Sequence, residues 1–226
     1  MPIATSLAAV VFASSLAGAA PAATSLPPIV IDVNFAADVP ATLITRVLDE
    51  VDAVWRASGV TVAWNRHPAA PASIAAPAWG VPASCGTLGV VIGHNRGAAA
   101  AAERQSQMPL GWIVFDEPDS PAHEIYLSYD NAVAYMTGAR AVVGVIEQMT
   151  VAEREIKLGR AMGRALAHEL GHYLLASKAH SSSGLMQAVH TASNFFGYER
   201  SDFAIDAAQR QAVAERLRDQ RLVASR

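Results

Sequence analysis

Between His168 and Met186 the chain reads HELGHYLLASKAHSSSGLM, and this stretch limits what the rest can build. His168 and His172 are four residues apart, so on a helix they stand one above the other and both imidazoles can reach one metal ion. Glu169 lies about 100° further round the same helix, close enough to hold a metal-bound water without being a ligand. Two neutral nitrogen ligands, an open position for water and a carboxylate to take its proton are the parts that metal-assisted hydrolysis needs. The opposite side is apolar. Met162, Leu166, Leu170 and Leu174 recur at i, i+4 spacing, so one side of the helix suits a core and the other a cleft.

A catalytic zinc takes three protein ligands plus the water, and the chain has to supply the third. His180 is the nearest candidate, eight residues past His172, after a small polar run over residues 176–183 in which a helix can end and the chain can fold back. His190, four residues beyond Met186, is a second candidate, and Glu199 is a third. Gly184-Leu185 is a turn signal with the large, soft side chain of Met186 after it.

These residues resemble the metzincin metalloproteases, whose pattern is HExxHxxGxxH followed by a methionine turn beneath the zinc. His168, Glu169 and His172 match its first half residue for residue, and Met186 is well placed to be the Met-turn methionine. The pattern's Gly is Leu175 here and its third His is Lys178, with His180 two residues later. The resemblance implies a Zn2+ ion held by His168, His172 and His180, Glu169 as general base, Met186 packed below, and a peptide or protein substrate. Glu199 as third ligand would instead be the gluzincin arrangement. The competing class is a non-catalytic secreted zinc-binding module on the same three histidines, and Glu169 discriminates, since a site closed by a fourth ligand has no use for a base.

Ahead of this motif, residues 28–35 (PIVIDVNF) alternate as a strand does, with Ile29, Ile31 and Val33 against Asp32 and Asn34. Leu43, Val47, Val51 and Trp55 then give helical spacing over residues 41–57, ended by Ser58-Gly59, and residues 60–64 read as a second strand. Strand, helix and strand of these lengths predict a βαβ crossover with parallel pairing. Residues 67–87 are rich in Pro and Ala and read as a long surface connection, and residues 97–108 as a loop or one short helix. Residues 88–92 form a short, continuous apolar run, as a central strand would. Residues 110–115 and 124–129 are two more strands, joined by Glu-Pro-Asp-Ser-Pro.

Residues 131–149 are helical in part. A helix over residues 151–176 opens on Thr150, with Glu153 three residues on as a capping box. A short helical turn falls within residues 188–196 and a final helix over residues 201–222. The whole predicts an α+β domain over residues 24–226, with five strands before the long metal helix and none after it. This order is similar to the metzincin catalytic domain, which implies a mixed, twisted five-stranded sheet. In that family the fourth strand is an antiparallel edge that binds substrate as an added strand, a role the resemblance gives to residues 110–115.

Residues 1–23 read as a secretory signal peptide, because the apolar run over residues 7–20 is too short to span a bilayer and ends in small residues of the A-x-A kind. That predicts a secreted or periplasmic protein. Of the 226 residues 52% are hydrophobic and 16% charged, enough for one sizeable core, and a net charge of −3 with interspersed signs gives no basic stripe for nucleic acid. Cys85 is the only cysteine, so no internal disulfide is possible, and it reads as a small packed residue. His67, His94 and His123 have no ligand spacing around them and read as surface or hydrogen-bonded histidines, while Tyr173 and Tyr198 read as packing.

Overall fold

A computed structural model describes residues 26, 28–68, 87–94 and 109–224, with side chains through residue 219. The signal peptide expected over residues 1–23, Cys85, the 97–108 loop and most of the 67–87 connection lie outside the described residues. Among the described residues the architecture is mixed α/β, a five-stranded mixed sheet with six α-helices. Its strands are β1 (Ile29–Phe35), β2 (Val62–Pro68), β3 (Leu88–Gly93), β4 (Gly111–Glu117) and β5 (Ser120–Ser128). The helices are α1 (Ala41–Arg56), α2 (Tyr129–Gly138), α3 (Arg140–Val143), α4 (Val151–Leu175), α5 (Ala192–Phe196) and α6 (Ala207–Ala224).

The strand order is β2-β1-β3-β5-β4. β1 pairs in parallel with β2 and β3, β3 pairs in parallel with β5, and β4 runs antiparallel to β5 at the edge. The expected βαβ crossover, the central apolar strand and the antiparallel edge strand are therefore all present. On β1 the alternation is direct: Ile31, Val33 and Phe35 are buried while Val30 and Asn34 face out. Helices α1 and α4 cover the buried face, and Leu43, Val47, Val51, Met162, Leu166, Leu170 and Leu174 share one core with the strands.

Helix α4 runs along α1 at close range because it carries glycine where they cross. A Cβ on Gly163 would lie 2.7 Å from the Val47 carbonyl oxygen and 2.6 Å from the Glu50 Cβ, both shorter than atoms tolerate. The fully buried Trp55 of α1 donates from Nε1 to the Ala167 carbonyl at 3.2 Å, fixing α4 lengthwise one residue before the first histidine of the motif. At its start, Thr150 accepts from the Glu153 N–H and Glu153 from the Thr150 N–H, the capping box read from sequence.

Three boundaries differ from expectation. Strand β2 is Val62–Pro68 rather than residues 60–64, because parallel pairing with β1 carries on through Asn65, Arg66 and His67, whose exposed side chains break the apolar pattern. Strand β5 begins at Ser120 and ends at Ser128, where the Ser128 hydroxyl accepts from the Asn131 N–H and starts α2. The last helix starts at Ala207 rather than Ser201. Asp206 and Gln209 form a reciprocal cap there, and Ser201–Phe203 is a separate 3-10 turn that buries Phe203.

Candidate metal centre

Helix α4 delivers His168, Glu169 and His172 to the floor of a cleft of about 1380 Å³, walled on one side by β4 and on the other by the chain around residues 178–195. Both helical histidines are oriented by backbone carbonyls. His168 Nδ1 lies 2.7 Å from the Leu185 oxygen and His172 Nδ1 lies 2.6 Å from the Ser177 oxygen. A carbonyl can only accept, so each Nδ1 carries the proton and each Nε2 keeps its lone pair. The two Nε2 atoms face one another at 3.1 Å. Two lone pairs aimed at one point repel unless a cation, a metal ion or a proton, lies between them, so this arrangement can take a metal.

His180 completes the group. One ligand nitrogen from each of His168, His172 and His180 can be chosen so that all lie within 4.8 Å of one another. Among the described residues this is the one cluster of His, Cys, Asp and Glu that close. The chain reaches it without the usual glycine. Helix α4 ends at Leu175, and Ala176 takes the left-handed conformation at φ 47, ψ 44, which a residue with a Cβ adopts at a cost of about 1–2 kcal/mol. The turn lets the Ser177 N–H reach back to the His172 carbonyl at 3.2 Å while the Ser177 carbonyl receives His172 Nδ1. Ser181, next after His180, donates its N–H to the Met186 carbonyl at 2.8 Å, so the ligand loop is pinned to the Met turn.

Met186 is buried and packs against Gly171, between the two helical histidines in sequence. A Cβ on Gly171 would sit 2.3 Å from Met186 Sδ, which explains the glycine between the two histidines in HELGH. Leu185 is held from both ends, its N–H donating to the Ala204 carbonyl at 2.9 Å and its own carbonyl accepting from His168. These carbonyls had no side-chain signature in the sequence; the turn residues did.

Electrostatics favour the ligand forms. Burial lowers the His168 pKa to about 4 and that of His172 below its ordinary value, keeping both imidazoles neutral. Burial pushes the Glu169 carboxyl up to about 8, opposed by a hydrogen bond from the Ile113 N–H of β4. A cation at the histidines favours its ionised form.

The rival ligands are not part of this group. His190 stacks on Phe203 with centroids 4.4 Å apart and meets Phe195 edge-on, outside the three-histidine group. Glu199 is exposed, and its backbone carbonyl accepts from Arg164 Nη2 at 2.9 Å. His94 sits between Asp38 and Asp130, His67 faces Asp32, and His123 packs edge-on to Tyr173. Tyr198 is 79% exposed under Arg160, and neither it nor Tyr173 lines the cleft. The lining also includes residues with no local signal in the sequence, among them Arg164, whose position one turn before His168 places it on the same side, and the aromatic pair Tyr135 and Phe195. No helix among the described residues is long and apolar enough to cross a membrane. Neither protein-family models nor the curated proteins give a match to this chain.

Proposed function

We propose that this chain is a zinc-dependent metallopeptidase of metzincin-like design, secreted or periplasmic as its N-terminal run suggests, that cleaves an extended peptide laid along β4. One observation carries the reading: His168 and His172 turn their free Nε2 lone pairs to a common point that His180 also reaches, in a cleft whose next residue is a carboxylate. A zinc ion held by these three nitrogens would act as a Lewis acid and bring the pKa of a bound water to about 7.

The chain's own residues supply the rest. Strand β4 is the sheet edge beside the site, and an added peptide strand there would be gripped through main-chain hydrogen bonds. Glu169 takes the proton of the attacking water and returns it to the leaving amine. The Leu185 and Ser177 carbonyls hold the two imidazoles in the ligating tautomer throughout. Against a purely structural metal site stands the composition of the cluster, which among the described residues offers three ligands and no fourth.

Replacing the base tests this. Glu169→Gln is expected to retain zinc and to lose hydrolysis of an unstructured protein by about 10²–10⁴-fold. Unchanged peptidase activity in that variant would contradict the assignment.

A further inference from the structure

The cleft has two unlike ends. Beyond His168 it is bounded by His190, Tyr135 and Phe195, an aromatic wall. Beyond His172 it runs past Phe115, whose ring meets the His172 ring edge-on at 6.5 Å, and past Lys178. Few charges line it. Arg164 is consumed by Glu50 and by backbone carbonyls, and Glu169 belongs to the metal site. That leaves Lys178.

The Lys178 ammonium lies 5.1 Å from the Phe115 ring centroid, so the ring holds the cation at the cleft without neutralising it. The end of β4 just past Phe115 carries Asp116 and Glu117, and the turn to β5 carries Asp119, yet none of the described residues forms an ion pair with Lys178. An exposed, unpaired cation at one end of a cleft is free to meet an anion of a bound peptide. A peptide added to β4 turns alternate side chains toward the cleft, and one of those positions passes Phe115 and Lys178.

We propose, resting on the peptidase reading above, that Lys178 is a specificity-determining residue that pairs with a carboxylate of the bound peptide on the His172 side of the scissile bond. The partner chemistry is a carboxylate, from an internal Asp or Glu side chain or from a peptide C-terminus. The aromatic end takes an uncharged side chain.

The test uses end-blocked fluorescent peptides in which one Asp is walked along a neutral sequence, with matched peptides bearing Lys, no charge, or a free C-terminal carboxylate. Binding to zinc-loaded Glu169→Gln protein is read by anisotropy, and cleavage by the unmodified protein is followed separately. The expected result is about tenfold tighter binding of one Asp register, or of the free-carboxylate peptide, than of the neutral one. Which of the two gains identifies the source of the carboxylate. Lys178→Ala should erase the difference, and Lys178→Glu should shift it toward the Lys peptide, with zinc content unchanged in both. A preference that survives Lys178→Ala, or no preference at all, overturns the proposal. Discriminating binding without any cleavage would remove the peptidase reading and leave the subsite standing, whereas cleavage with no discrimination would do the reverse.

Discussion

Around Arg164, and again around His168 one turn further along α4, the chain places polar atoms out of water, but it finishes the two clusters differently. Arg164 is fully buried, and each of its three nitrogens has a partner: Nε with Glu50 at 2.8 Å, Nη2 with the Glu199 carbonyl at 2.9 Å, and Nη1 with the carbonyls of Asn194 and Phe195. Glu50 accepts in addition from Arg200 Nη2 at 2.7 Å. In the histidine cluster His168 and His172 satisfy their Nδ1 atoms and leave Nε2 facing Nε2. A closed set of partners is how a fold holds itself together, and an open set in a cleft is how it waits for a ligand. The first cluster ties α1 and the 194–200 segment to α4, and so supports the wall of the cleft that the second one serves.

The sharpest way to break that comparison is to remove one member from each. Glu50→Ala leaves Arg164 buried without its carboxylate, and breaking a buried pair in this way costs about 3–5 kcal/mol. His180→Ala, which truncates an exposed side chain, measured in chelator, is expected to leave the denaturant midpoint close to that of the unaltered chain, because no cation is then present to be lost. Chemical denaturation of both variants in EDTA checks it, and equal destabilisation would show that the histidines are also structural. Next in size is Gly171→Ala, whose methyl would overlap Met186 Sδ; overpacking of this kind costs about 1–3 kcal/mol and should lower metal affinity as well.

Ala176→Gly is expected to stabilise by about 1 kcal/mol, since glycine adopts the left-handed turn without the Cβ penalty, and to leave metal binding intact. A destabilised variant would mean that the turn is not strained. The smallest effect concerns His94. Its hydrogen bond to Asp130, together with that to Asp38, raises its pKa above the ordinary value. A raised folded pKa contributes stability that is fully present below the unfolded value of about 6.5 and is lost as pH rises through the folded one. Melting midpoints compared with His94→Gln from pH 5 to 9 should converge at the alkaline end, and a constant gap would contradict the ionic account.

Much of this was legible because local rules wrote it. The i, i+4 histidines, the Thr150–Glu153 cap, the alternation on β1 and the apolar run of β3 each need only neighbours in sequence. What could not be read depends on residues far apart or on the main chain. Glu50 and Arg164 meet across 114 positions, and nothing near Arg164 distinguishes it from a surface arginine. The Ser177 and Leu185 carbonyls that aim the imidazoles carry no side-chain signal at all. The late third histidine became intelligible only through Ala176, which turns the chain one residue after the place of the pattern's glycine. The misplaced start of α6 had a local cause, the Asp206–Gln209 cap, that was open to reading.

Metal content is the most direct test of the central claim that His168, His172 and His180 form one site. Purified chain reconstituted with zinc, dialysed and measured by atomic absorption should hold one equivalent. His180→Ala should lose most of it, while His190→Ala and Glu199→Ala keep it, because a three-ligand site has none to spare. Full occupancy in His180→Ala, or loss in either of the other two, would contradict the site as assigned.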